Sequence, residues 1–322
     1  MEDIVLPDGT LDDRRLWRRD ILYTGMNGKC VERVYVTPEE SVIFKPLTNE
    51  SQLGLEGWVY EHILRGMSFP PIYPRLLAAS GSDAGERSWQ LFEDLGPLEH
   101  RFEEDAALEL IEHVAWWHGL SVDGLKGQTL LGPKPFIEEL AAQAFERREE
   151  LAEALAERFD DPKSLVERLE ALCRSESATL NWSRNALSHG DLHLGNYARV
   201  QGVLKVLDWE HAHVNSRYWD LYHAIDCSHP DFPKRMSAPV RERLLDRYLA
   251  ASGSSMTELE KQSFKQGYYL FAAVFSLWML LLIAGDLKRL NGADGKWTTA
   301  QLKAQLEETL DSLSQCVDAL IG

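Results

Sequence analysis

The spacing of apolar positions changes character near Gly96-Pro97. Before that point, apolar side chains come in short runs rich in β-branched and aromatic types. Such runs predict strands over Asp20–Gly25, Val31–Val36, Ser41–Lys45, Leu76–Ala79 and Ser88–Phe92. Gly25-Met26-Asn27-Gly28-Lys29 and Thr37-Pro38-Glu39-Glu40 read as turns. Pro46 closes the third strand and holds Lys45 extended. One helix interrupts the strands, Leu53–Leu64, with Leu55, Val59, Ile63 and Leu64 on its buried side. After Glu93-Asp94-Leu95-Gly96-Pro97 the period becomes helical. Helices are expected over Asp105–His118, Pro135–Arg158, Lys163–Arg174, Tyr218–Ala224, Val240–Ala251, Thr257–Gly285 and Thr298–Ile321. Thr257 with Glu260, and Thr298 with Gln301, have the spacing of capping boxes. The uncharged run Tyr268–Ala284 sits at the lower limit for a spanning helix. Closed by Gly285-Asp286 and followed by Lys288-Arg289, it reads as a buried helix. The order of elements predicts an α+β fold with a β-rich N-lobe, residues 1–95, and a helical C-lobe, residues 96–322.

One stretch breaks the helical pattern, Ser188–Glu210, SHGDLHLGNYARVQGVLKVLDWE. Asp191 sits in a polar, glycine-punctuated turn, Asn196 follows five residues on, and Asp208 ends an apolar run. An amide oxygen and a carboxylate suit a hard cation such as Mg²⁺. Asp191 is then left to accept or align the proton of a hydroxyl. In the N-lobe, Lys45 ends three apolar strand residues, a position from which a lysine reaches nucleotide phosphates. A glutamate on the next helix would orient it. Glu56 and Glu61 are the candidates, and Glu56 has the better helical phase.

His189, His193, His211 and His213 would suit a zinc hydrolase only with a recognised ligand spacing. Neither HxHxDH nor HExxH occurs. His193 reads as a loop-packing residue. Trp116, Trp117, Tyr268, Tyr269 and Trp278 read as core rather than as a box for a quaternary amine. The acids Glu103-Glu104-Asp105 suit a helix N-terminus.

Composition narrows the partners. The chain is 44% apolar and 26% charged, ordinary for a globular protein. Its net charge of −17 argues against a nucleic-acid partner and is compatible with a cationic substrate. Cys30, Cys173, Cys227 and Cys316 form no CxxC pair, which points to a reducing compartment without a disulfide framework. The acidic N-terminus has no apolar signal-peptide core. A cytoplasmic protein without a membrane partner is expected, as monomer or homodimer.

HGDLHLGN followed by VLDWE resembles the catalytic loop and metal-binding segment of the aminoglycoside phosphotransferase and choline kinase family. The likeness extends in order through VIFK with Lys45, Glu56, LFEDLG (Leu91–Gly96) and RYWDL (Arg217–Leu221). The resemblance implies a two-lobed protein-kinase-like fold and ATP- and Mg²⁺-dependent phosphoryl transfer, with two ions, to a hydroxyl. Asp191 resembles the catalytic base, and Asn196 and Asp208 the metal ligands. Lys45 resembles the phosphate-binding lysine and Glu56 its partner. His189 is similar to a histidine that braces the loop, and Asp220 to an acid that supports it. Gly25 and Gly28 stand where the family has its phosphate loop, although their spacing departs from G-x-G-x-x-G. Backbone groups of Glu93, Asp94 and Leu95 would meet the adenine. The acceptor is expected to be an aminoglycoside or other antibiotic. A metabolite such as choline, a sugar or an amino alcohol, or a biosynthetic peptide, remains open. The reading from another class is a catalytically degenerate kinase-like scaffold. Residues 120–181, where this family builds its acceptor pocket, carry no recognisable motif.

Overall fold

The alternation in Ser41-Val42-Ile43-Phe44-Lys45-Pro46 sets the organisation of the first part of the chain. In the computed structural model Val42 and Phe44 are buried on one face of a strand, while Ile43 and Lys45 lie on the other. The structure describes residues 2–25, 27–48, 55–81, 84–125, 130, 132–175, 182–253, 255–290 and 296–321. Met26, the start of the expected helix at 53–54 and parts of 120–181 lie outside these residues. The chain divides into two units, Met1–Glu99 with Ala198–Ala212, and His100–Tyr197 with His213–Gly322.

The first unit is built on a five-stranded antiparallel sheet of order β1-β2-β3-β5-β4. The strands are β1 (Arg18–Thr24), β2 (Cys30–Tyr35), β3 (Ser41–Pro46), β4 (Leu76–Ala79) and β5 (Trp89–Glu93). Val34, Val42, Phe44, Ala78 and Leu91 form its core with Ile4 and Leu11. β3 ends at Pro46, as expected, with Pro46 itself still paired to Trp89. The N–H it lacks would point toward β2, beyond the last registered pair there, Glu32 with Phe44, so no ladder bond is lost.

The helix after β3 departs from its expected form. It begins as α1 (Leu55–Trp58) and continues as a wider π-helical stretch, Val59–Arg65. Val59, Tyr60, Ile63 and Leu64 are buried as a group, while Leu55, expected inside, is only half-buried. Glu56 takes a buried position instead.

Hairpin β7 (Tyr197–Val200) and β8 (Val203–Val206) turns at Gln201-Gly202, both with positive φ, as a tight hairpin turn requires. The expected lobe boundary kept residues 96–322 together, but Ala198–Ala212 groups with the first unit. The contacts that take it there are local. Val206 N–H donates to Ile72 O (2.6 Å), Lys205 Nζ to Pro71 O (2.9 Å), and Trp209 packs edge-on against Phe69.

The second unit is mostly helical. Its helices are α2 (Glu104–His118), α3 (Ile137–Glu146), α4 (Arg148–Leu155), α5 (Pro162–Arg174), α6 (Arg217–Ile225), α7 (Ala238–Ala251), α8 (Glu258–Leu290) and α9 (Thr299–Ile321). Strands β6 (Ala186–Ser188) and β9 (His213–Asn215) form a short antiparallel pair among them. The single helix expected over Pro135–Arg158 is two, because the backbone leaves the helical region at Arg147. No glycine or proline marks that break. The Arg147 guanidinium binds Glu150 through two hydrogen bonds and ties down the start of α4.

Helix α8 is long and apolar enough to cross a membrane by length and composition, and most of that apolar stretch is buried inside the protein. It packs against α9, α3, α4, α5 and α6. Tyr268, Tyr269 and Trp117 are buried; Trp116, expected as core, is exposed. Both capping boxes form, Thr257 with Glu260 and Thr298 with Gln301.

A buried ionic cluster joins four of these helices. Asp226, at the end of α6, accepts from Arg241 of α7 (Nη2–Oδ1 2.6 Å), Tyr268 of α8 and Ser312 of α9 (2.6 Å). Arg241 Nη1 also donates to Gln315 Oε1 at 2.9 Å. Replacing Arg241 by methionine would leave the Asp226 carboxylate buried without its countercharge. The expected loss is about 3–5 kcal/mol, read as a fall in the urea unfolding midpoint.

Candidate active site

Period two along β3 turns Lys45 away from the core of the sheet and toward α1. Its ammonium lies among three carboxylates of the same unit. Asp208 Oδ1 is 2.6 Å away, Glu56 Oε2 2.8 Å and Glu210 Oε2 3.0 Å. Glu61, the alternative partner, is exposed on the π-helical stretch, whereas Glu56 is buried. Burial acts to lower the Lys45 pKa, but the charges of Asp208, Glu56 and Glu210 outweigh it and hold the ammonium well above its usual value. Burial pushes the Glu56 carboxyl up, Lys45 opposes this, and Asp208 and Glu210 add to the rise. Three carboxylates around one ammonium carry excess negative charge, so one of them retains a proton more readily than a surface acid would.

Asp208 has left-handed backbone angles, φ 59° and ψ 61°. A non-glycine residue there costs on the order of 1–3 kcal/mol, and aspartate is among the side chains that tolerate it. The turn brings Asp208 and Glu210 to the same ammonium, with Trp209 buried between them in sequence. Ligand oxygens of Glu56, Asp208 and Glu210 all lie within 4.8 Å of one another. These are hard oxygen donors of the kind Mg²⁺ takes, so the donor set fits that ion. No histidine belongs to the group.

The remaining expected positions of this unit have local partners. Gly25 N–H donates to Lys29 O (2.8 Å) and Gly28 N–H to Gly25 O (3.0 Å), closing the turn between β1 and β2. Glu93 binds Arg75 through backbone and side chain. Asp94 accepts from Arg33 and from Ser41 Oγ, each at 2.6 Å. Leu95 follows directly in the chain.

The second unit carries Asp191, Asn196, His189 and Asp220. Asp220 of α6 is fully buried and accepts five hydrogen bonds. Ser188 Oγ (2.6 Å) and Gly190 N–H (3.1 Å) reach Oδ1, while His189 N–H (2.9 Å), Trp117 Nε1 (3.0 Å) and His118 Nε2 (3.3 Å) reach Oδ2. Burial alone would raise its pKa. The hydrogen bond and charge of His118, with His189 and Ser188, hold it well below the usual carboxylate range instead. Gly190 has φ 93°, which a side chain would strain, and its carbonyl accepts from Trp219 Nε1 at 2.8 Å. Asp191 N–H then donates to His189 Nδ1 (3.3 Å).

The rest of the loop is equally tied. His193 Nδ1 accepts from Gly195 N–H at 3.0 Å, and the His193 ring stacks on His229 at 4.6 Å. A Cβ on Gly195 would meet the Phe232 ring at 2.3 Å, so only glycine fits. Asn196 Nδ2 donates to Asp191 O at 2.7 Å, which orients the amide. The Asp191 carboxylate is half-buried, with Lys134 Nζ 3.4 Å from Oδ1 and His193 Nε2 3.6 Å from Oδ2.

Two charged residues here were not singled out from sequence. Glu210 had a signal, an acid two positions after Asp208. Lys134 lies in the stretch without a motif, and its signal is a lysine between two prolines.

The sequence model of the phosphotransferase enzyme family (APH) matches residues 72–261, more than half of the chain. The protein belongs to this family. It is therefore a phosphotransferase that uses a hydroxyl of a small molecule as acceptor. A search of curated proteins finds no match by sequence. Among solved structures it is similar to macrolide 2'-phosphotransferase MphH from Brachybacterium faecium, with TM-score 0.52, 17% identity and 92% of each chain covered. It is similar to the streptomycin–ATP–APH(2")-IIa ternary complex, with TM-score 0.53, 12% identity, and 94% of this chain and 99% of that one covered. It is also similar to a choline kinase from Cryptosporidium parvum Iowa II, with TM-score 0.51, 12% identity, and 98% and 94% covered. At these identities the likeness concerns the fold, which is the two-lobed, kinase-like α+β fold. The phosphotransferase family match includes Asp191, Asn196, Asp208 and Asp220 and begins after Lys45 and Glu56.

Acid should unfold this phosphotransferase through its buried histidines. Burial, with the Lys134 charge adding to it, lowers the His223 pKa from 6.5 to about 3. The unfolded chain takes up this proton first as pH falls. Its contribution to stability is therefore full above about 6.5 and is lost as pH falls toward about 3. Burial shifts His118 in the same direction. The thermal midpoint should decline through that window, and His223→Gln should flatten the decline, measured by circular dichroism against pH.

Proposed function

We propose that the protein is an ATP- and Mg²⁺-dependent O-phosphotransferase acting on a small-molecule hydroxyl, with an aminoglycoside-like or other antibiotic as the acceptor. The observation that carries this reading is the Lys45 ammonium held within 3.0 Å of Glu56, Asp208 and Glu210. A lysine in that setting stays charged and is offered to phosphate oxygens. The carboxylates are suited to a divalent ion.

In this reading Lys45, oriented by Glu56, holds the nucleotide phosphates. Asp208, with Glu210 beside it, and Asn196 would hold magnesium. When bound, that ion neutralises charge on the phosphate oxygens. Asp191 aligns the acceptor hydroxyl and receives its proton. The hydroxyl oxygen forms a bond to the γ-phosphorus as the bond to the β–γ bridging oxygen breaks, and ADP leaves. Catalysis is then mainly positioning and charge compensation. The loop that carries Asp191 is suited to this, because Asp220 ties its backbone at His189 and Gly190. Unpaired Cys30, Cys173, Cys227 and Cys316 favour a cytoplasmic setting.

A metabolite acceptor is the second reading, favoured by the similarity to a choline kinase. A phosphate-transfer screen over macrolides, aminoglycosides and choline separates the two. A protein that neither binds Mg·ATP nor transfers phosphate would be a scaffold instead.

Asp191→Asn should lower turnover by about 10²- to 10⁴-fold with nucleotide affinity nearly intact. Asp208→Asn should weaken Mg·ATP binding itself. Calorimetry with Mg·ATP and a coupled ADP assay read the two effects. Loss of ATP binding in a folded Asp191 variant would sink the role assigned to Asp191.

A further inference from the structure

The segment Gly132-Pro133-Lys134-Pro135-Phe136 has no counterpart in the reading above. Two prolines fix φ on either side of Lys134, and Pro135 also keeps Lys134 itself extended. The segment is seated at both ends. A Cβ on Gly132 would lie 2.6 Å from the His213 ring, so the backbone rests directly on that imidazole. The Phe136 ring has the Arg184 guanidinium 3.6 Å above it. His213 is the register partner of Ser188, the strand residue that leads into the loop of Asp191. Lys134 is thus presented from a stiff support packed on the same strand pair that delivers Asp191.

The lysine is held by two groups. Its Nζ is 3.4 Å from Asp191 Oδ1 and 3.4 Å from His223 Nε2. His223 is fully buried, and its Nδ1 is 2.8 Å from Trp219 O, which can only accept. The ring proton is therefore on Nδ1, and Nε2 offers a lone pair to Lys134. On the other side of the Asp191 carboxylate, His193 Nε2 faces Oδ2. Each oxygen thus has a nitrogen near it, Lys134 Nζ 3.4 Å from Oδ1 and His193 Nε2 3.6 Å from Oδ2.

We propose that Lys134 is a positioning residue for phosphoryl transfer, whose ammonium, anchored on His223, holds the Asp191 carboxylate in the orientation that receives the acceptor's proton. This rests on the role of Asp191 given above. Lys134 acts through Asp191 and makes no contribution to nucleotide binding. The flanking prolines reduce the backbone freedom that Lys134 loses on taking up this role.

The test uses the full chain with Mg·ATP and water as the acceptor, following ADP release. Lys134→Met should lower kcat by about 10- to 100-fold, with the KM for ATP within about twofold of the parent. Lys134→Arg should recover most of the loss. Pro135→Ala, which frees the backbone and keeps the ammonium, should fall between. Unchanged kcat in Lys134→Met overturns the inference and leaves the phosphotransferase reading standing. So does a loss that follows the thermal midpoint and is not rescued by arginine. If Lys134→Met does not fold, the Arg and Pro135→Ala variants decide by the same split of kcat from KM. If the parent protein turns over no ATP, with water or with any screened acceptor, the proposed function fails and this inference falls with it.

Discussion

A buried carboxylate that must be satisfied organises the helical unit. Asp220 is fully buried, so its charge is tolerable only while donors surround it. Those donors come from two residues of α2, the last residue of β6 and two successive backbone N–H groups of the loop that follows. Hydrogen bonds to a charged group contribute roughly 1.5–3 kcal/mol each. The loop conformation and the packing of α2 on α6 are therefore coupled. The backbone ahead of Asp191 is held by the demands of another acid.

The first unit uses charge differently. Around Asp220 donors outnumber charges and the carboxyl stays ionised. Around Lys45 carboxylates outnumber the ammonium by three to one, and Glu56 is pushed toward protonation. Such an imbalance is uncomfortable for a protein by itself and is relieved by an added cation. One cluster ties a loop to two helices; the other, with Glu56 buried and Asp208 and Glu210 partly exposed, carries the charge balance that an added cation would relieve. The left-handed backbone at Asp208 belongs with the second kind, since local strain of this sort gathers at functional sites.

Much of the fold was legible in the residues. Strand β4 has the expected limits, and the other four strands of the five-stranded sheet and most helices of the second unit fall within a few residues of theirs, because period and capping are local properties. The misses share a cause. The break at Arg147 has no glycine or proline to announce it. Leu55, placed inside with Val59 and Ile63, is only half-buried, because Glu56 rather than Leu55 shares the buried face of Val59, Tyr60 and Ile63. The hairpin at Ala198–Ala212 joins the first unit through Ile72, Pro71 and Phe69, residues more than a hundred positions away.

By itself the sequence determined the class of fold and the family, and it nominated the acids and the amide that the proposed chemistry would need. These follow from spacing within short windows. Helical phase already favoured Glu56 over Glu61 as the partner of Lys45; only the tertiary structure decided that Glu210 joins Asp208 and that Lys134 is brought to Asp191. Each of these pairings depends on which distant elements pack together. Burial then fixes the partner, because a charge removed from water must find its counterpart wherever the fold has placed one.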